Sequence, residues 1–216
     1  MGRPKITLYV DVVSPFAYQA YHLLRNDPLF RDVTTTITPI FLGGLMHKCG
    51  NTPPIAIKNK DKWINQERLR WSAHFDIPIS ETLPPGFPAP TLPVGRVLAT
   101  FEDQERLTRL LDVLFRKHWV EGVPVHRGDV LGDVVREVFG GEADSILAEA
   151  ATKGKKRLIE NTDKAFAEGA FGLPWMVCED ADGKKEGFWG VDHMGQVVQF
   201  LGLDRAKGGK GWKAVL

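Results

Sequence analysis

A serine followed by a proline, Ser14-Pro15, stands where an apolar, β-prone run ends, and Phe16, Ala17, Ala20, Leu23 and Leu24 then recur at helical spacing. Serine at the capping position with proline at the first helical position is a helix start. The first turn of a helix offers unpaired N–H groups at the positive end of the helix dipole, so an anion held there is stabilised. The residues alone leave two roles open for Ser14: a cap that only finishes the helix, or a hydroxyl that also serves a bound anion.

A second stretch, residues 169–174 (GAFGLP), forms turns and feeds an apolar strand. Pro174 has no N–H to give a neighbouring strand, which predicts an exposed edge where a thiol-bearing peptide could pair with the backbone of Leu173; a plain loop is the alternative. Asn51 offers both a donor and an acceptor, Lys60 can meet a carboxylate, and Asp192 at a helix start can pair with an ammonium. Each has a plainer reading: Asn51 before Pro53 and Pro54 as a turn, Lys60 between Lys58 and Lys62 as a solvated face, Asp192 as a cap. His47, His74 and His118 lack metal-ligand spacing, so no metal is expected. Cys49 and Cys178 form neither a Cys-x-x-Cys pair nor a ligand set, the usage of a reducing compartment without structural disulfides, and both read as small core hydrophobes.

The elements that must position these residues follow from periodicity. Residues 6–11 (ITLYVD) and 34–40 (TTTITPI) read as strands on either side of the first helix, with Pro39 marking an edge or a strand end. From about residue 61 to 166 the period becomes helical, most clearly in Leu107, Leu110, Leu111, Leu114, Phe115 and Trp119, broken by the proline-rich loop 84–93 and by glycines. Strands return at 175–179 and 187–190, joined by a turn, and a last helix is expected from Asp192. The order predicts an α/β sheet domain, residues 1–52 and 167–216, split by a helical insertion, residues 53–166. The glycine-lysine tail from Lys207 to Lys213 reads as mobile.

The 216 residues carry 28 basic and 27 acidic side chains for a formal charge of +1, which excludes a global field that would gather nucleic acid or anionic membrane. No apolar stretch approaches the roughly 20 residues of a membrane span, and the N-terminus lacks a signal core. The chain is expected to be soluble and intracellular, in cytoplasm or mitochondrion, since Lys213, Ala214, Val215 and Leu216 make no peroxisomal address.

Four motifs in order, residues 11–18 (DVVSPFAY), 50–54 (GNTPP), 169–174 (GAFGLP) and 190–194 (GVDHM), resemble those of kappa-class glutathione transferases, over nearly the whole chain. That family is similar to DsbA-type thiol oxidoreductases and to 2-hydroxychromene-2-carboxylate isomerases. The resemblance implies a thioredoxin-like βαβ…ββα domain interrupted by an all-helical domain, a homodimer, and glutathione as co-substrate bound between the two domains. It implies that Ser14 hydrogen-bonds the glutathione sulfur, that Leu173 before a cis Pro174 pairs with the peptide backbone, that Asp192 holds the γ-glutamyl ammonium, and that Asn51 and Lys60 line the rest. Where the family commonly has Ser, Asp and Arg, this chain has Val191, Asp192 and His193. A valine offers only its backbone to a carboxylate, so Val191→Ser is expected to add about one hydrogen bond to glutathione.

A free thiol of pKa about 8.5 is only about 3% ionised at pH 7, and a hydrogen bond to the thiolate lowers that pKa by roughly one to two units. The expected activity is attack of the thiolate on a hydrophobic electrophile, or reduction of a hydroperoxide, with an apolar pocket for the acceptor. Two alternatives stand beside it: a glutathione-dependent 2-hydroxychromene-2-carboxylate isomerase, and a non-catalytic peptide-binding or chaperone-like module.

Overall fold

The structure is a computed structural model and describes residues 2–212. Four strands make one mixed sheet in the order β2-β1-β3-β4: β1 (Lys5–Val10), β2 (Thr34–Pro39), β3 (Trp175–Glu179) and β4 (Lys185–Trp189). β1 runs parallel to β2, which requires a crossover, and α1 (Pro15–Asn26) supplies it; β3 pairs antiparallel with both β1 and β4. Ile6, Leu8, Tyr9 and Val10 of β1 are buried, as a strand covered on both faces requires.

Every element between β2 and β3 is helical: α2 (Leu42–Lys48), α3 (Lys60–Phe75), α4 (Leu92–Leu98), α5 (Gln104–Phe115), α6 (Gly128–Phe139), α7 (Ala143–Glu149) and α8 (Lys155–Ala167). Two π-helical turns, Arg116–Val120 and Ala150–Gly154, interrupt this series. The second brings Gly154 so close to α4 that a Cβ there would lie 2.1 Å from the Arg96 carbonyl oxygen, so only glycine permits the approach. After β3 and β4 the chain turns through Val191–His193 into α9 (Met194–Phe200).

Five local features depart from the sequence reading. α2 escapes the periodic reading because Gly43 and Gly44 lower its intrinsic helix propensity; packing on α8 holds it instead. Pro174 is not on a sheet edge: β3 is central, the edges are β2 and β4, and the proline precedes the strand. The last helix begins with a 3-10 turn from Val191 rather than at Asp192, and β4 starts at Lys185. The tail up to residue 212 is docked, since Trp212 is 0% exposed, donates its indole N–H to Asp27 Oδ2 at 2.7 Å, and packs on Phe30 and Phe75. Residues 213–216, which carry the targeting reading and the end of that tail, lie outside the described residues.

Candidate active site

Ser14 sits between β1 and α1 with extended backbone (φ −90°, ψ 114°) and is 5% exposed. Its Oγ accepts from the Ala17 N–H at 3.1 Å and caps α1, while its own N–H donates to the Asp11 carbonyl at 3.0 Å. Pro15 removes one N–H from the first turn and Ala17 spends another on the cap. Among the described residues, the Phe16 N–H and the Ser14 hydroxyl proton are left without an acceptor. The cap uses a lone pair of Ser14 Oγ, so its proton remains available to a ligand.

The turn ahead of Ser14 is tied to the helices. Asp11 is buried; its Oδ1 accepts from the Thr91 hydroxyl at 2.6 Å and the Val13 N–H at 3.3 Å, and its Oδ2 accepts from the Leu42 N–H at 2.9 Å. Burial pushes its carboxyl above the usual carboxylate range, and these donors oppose the shift. The Trp119 indole N–H donates to the Val12 carbonyl at 2.8 Å. Sequence reasoning assigned none of these residues a role; a carboxylate inside the apolar run YVDVV was the one available signal.

The 169–174 loop meets the turn after β4. The Leu173–Pro174 peptide is cis, and the Pro174 carbonyl accepts from the Gly190 N–H at 3.0 Å. Among the described residues, the N–H and C=O of Leu173 have no hydrogen-bond partner. Gly190 has φ 90°, and a Cβ on it would fall 2.1 Å from Asp192 Oδ1, which seats that carboxylate against the glycine. Asp192 Oδ1 lies 3.4 Å from His193 Nδ1, with both side chains partly exposed. The Val191–His193 turn packs against α1, so the helix that Ser14 caps and Asp192 share one neighbourhood.

Asn51 joins the same loop, since its side-chain N–H donates to the Phe171 carbonyl at 2.8 Å, and Cys49 S–H approaches the Ala170 carbonyl at 3.4 Å. Lys60 opens α3 and is exposed; among the described residues no hydrogen bond or ion pair joins its ammonium to the others. Val191 is 2% exposed, so its side chain belongs to the core and a serine there would bury its hydroxyl. Cys178 is buried as expected, its thiol pushed up to about 12 by burial, while Cys49 is half-buried. A groove of about 600 Å³ lies between the C-terminal end of α1, β2 and α5, lined by Arg31, Thr35 and Arg109, and a smaller one of about 130 Å³ lies between α2, α4 and α8. Neither is lined by Ser14 or the other expected site residues, so neither is the apolar acceptor pocket expected beside them. Among the described residues no group of three or more His, Cys, Asp or Glu side chains could hold a metal ion, and no helix is long and apolar enough to cross a membrane.

The sheet order, the crossover helix that Ser14 caps and the helical interval between β2 and β3 define a thioredoxin-like α/β protein of the DsbA type. The chain belongs to the DSBA-like thioredoxin family, whose model matches residues 5–202. It is 26% identical over 207 residues to glutathione S-transferase kappa 1 of Caenorhabditis elegans, covering 92% of this chain and 91% of that protein. It is also 26% identical over 208 residues to the 2-hydroxychromene-2-carboxylate isomerase of Pseudomonas sp. (strain C18), covering 91% of this chain and 90% of that one. A solved structure of a 2-hydroxychromene-2-carboxylate isomerase superposes with a TM-score of 0.76 at 21% identity, over 92% of this chain and 94% of that one.

Proposed function

We propose that this protein is a glutathione transferase in which Ser14 donates a hydrogen bond to the glutathione thiolate. The observation that carries the reading is the unshared hydroxyl proton of Ser14 at the start of α1, where the helix dipole and the Phe16 N–H also favour negative charge. The unpaired Leu173 backbone fits the cysteinyl part of a tripeptide by strand-like pairing, and Asp192 fits the γ-glutamyl ammonium. Asn51 Oδ1, the exposed Lys60 ammonium and His193 complete the polar lining in this reading, with Val191 contributing backbone only. Residues 1–52 and 167–216 form the sheet domain, residues 53–166 the helical one, and glutathione lies between them in each protomer of a homodimer.

In the mechanism, the bound thiol loses its proton to solvent, because Ser14 has no paired base to make it a nucleophile or a proton acceptor. The hydroxyl of Ser14 then holds the sulfur anion, which attacks the electrophilic carbon of a hydrophobic acceptor, displacing halide or adding to a conjugated system; on a hydroperoxide it attacks the terminal oxygen, the O–O bond breaks to release the alcohol, and a second glutathione converts the sulfenic acid to disulfide and water. An intracellular setting, where glutathione stays reduced, matches this chemistry. The kinship with isomerases favours a second reading in which the thiolate adds to a 2-hydroxychromene-2-carboxylate and is eliminated again. Retention on glutathione-agarose followed by assays with a chlorodinitrobenzene acceptor and with the chromene carboxylate tests both. Conjugation supports the transferase, isomerisation without conjugation the second reading, and failure to bind glutathione contradicts each.

A further inference from the structure

Three helical elements converge on the two residues at the start of the Ser14 turn, and none of the three hydrogen-bonds to Ser14 itself. Thr91 stands at the capping position of α4, where a threonine hydroxyl ordinarily accepts from its own helix's first turn; here α4 has no side-chain cap, and the hydroxyl donates to Asp11 Oδ1 at 2.6 Å. Leu42, the first residue of α2, directs its N–H to Asp11 Oδ2 at 2.9 Å. Trp119, 0% exposed, belongs to the π-helical turn after α5, an insertion of the kind often found at functional sites, and it donates to the Val12 carbonyl at 2.8 Å. Phe87 packs edge-on against the Trp119 ring at 5.7 Å. The Asp11 carbonyl in turn accepts the Ser14 N–H at 3.0 Å, so the clamp reaches Ser14 through one backbone bond.

We infer that Asp11, Thr91 and Trp119 are positioning residues: Thr91 and Trp119, anchored in the helical segment, hold the 11–14 turn through Asp11 and Val12 so that the Ser14 hydroxyl is directed at the sulfur. This rests on the reading of Ser14 given above. A cap needs only a lone pair of Ser14 in place, whereas donation to a sulfur needs the O–H direction fixed to a few tenths of an ångström, which a free-standing turn does not supply. The helices that would enclose the acceptor thus also hold the residue that activates the thiol.

The test is a cycle of Thr91→Val and Trp119→Phe, each made in the natural chain and in Ser14→Ala, with Thr91→Ser as the variant that keeps the hydroxyl. For each, the bound-glutathione thiolate is titrated by its absorbance and kcat/KM is followed against pH, with thermal unfolding measured alongside. In the natural chain Thr91→Val is expected to raise the bound thiol pKa by about half to one unit and to lower kcat/KM near neutral pH by about three- to tenfold, recovering at alkaline pH. Thr91→Ser restores both values, and in the Ser14→Ala background neither Thr91→Val nor Trp119→Phe moves them further. Equal losses with and without Ser14, or a loss of melting temperature with an unmoved thiol pKa, overturns the inference; should Thr91→Val not fold, Trp119→Phe decides by the same criteria. If Ser14→Ala alone leaves the titration unmoved while Thr91→Val shifts it, the reading of Ser14 fails separately.

Discussion

Capping and thiolate stabilisation use different parts of one Ser14 hydroxyl, a lone pair for the Ala17 N–H and the proton for the ligand, so they need not compete. Val191 illustrates the reverse, a residue whose burial removes a role its position suggests. At 2% exposure, Val191→Ser buries a hydroxyl and loses two methyl groups' packing, so stability falls by about 1–3 kcal/mol without tighter glutathione binding. Urea unfolding with isothermal titration checks this; a lower Kd at unchanged stability would mean that residue 191 faces the ligand. The Ser14 cap and the turn at Pro174 were legible because caps and turns are written in adjacent residues. The partners of Asp11 were not, because bonds to Leu42, Thr91 and, through Val12, Trp119 join positions 31 or more residues apart without a spacing rule.

The π-helical turn after α5 buries His118 beside Trp119, with Nδ1 at 3.3 Å from the Val123 carbonyl and Nε2 without a partner among the described residues. Burial pushes its imidazole down to about 4, opposed by that carbonyl, with His126 nearby adding to the depression. The unfolded chain therefore takes up the proton first: stability is fully present above the unfolded value of about 6.5 and is lost as pH falls toward 4. The gap corresponds to roughly 3 kcal/mol, with a further part from His22, also held below its usual range by burial. Guanidinium unfolding at about pH 7 and about pH 5 captures roughly 2 kcal/mol of it, and His118→Phe is expected to flatten most of the difference; an unchanged difference would place the acid sensitivity elsewhere. The helix α5 itself was plain from its leucines, whereas α2, with Gly43 and Gly44 at its start, exists through packing that no periodicity announces.

Across the whole molecule, the chain's last described residue closes the fold on its first helix, because Trp212 binds Asp27 just past α1 and packs at a tilt against Phe75 of α3. Trp212→Ala is expected to cost about 3–5 kcal/mol in urea unfolding, and a loss below about 1 kcal/mol would show that the tail only rests on the surface. A glycine- and lysine-rich tail looks mobile in sequence; one buried indole decides otherwise, and only the folded surface at Phe30 and Phe75 makes it a ligand for its own chain. The sheet order was legible for the opposite reason, since strand–helix–strand and hairpin signals are local and connection rules do the rest. The central claim, that this fold ionises glutathione through Ser14, is tested most directly by titrating the thiolate absorbance of the bound tripeptide in the natural chain and in Ser14→Ala. The account predicts that Ser14→Ala raises the bound thiol pKa by about one to two units, with activity near neutral pH falling about ten- to a hundredfold and returning at alkaline pH. A lowered melting temperature with the titration unmoved would make Ser14 a helix cap and nothing more.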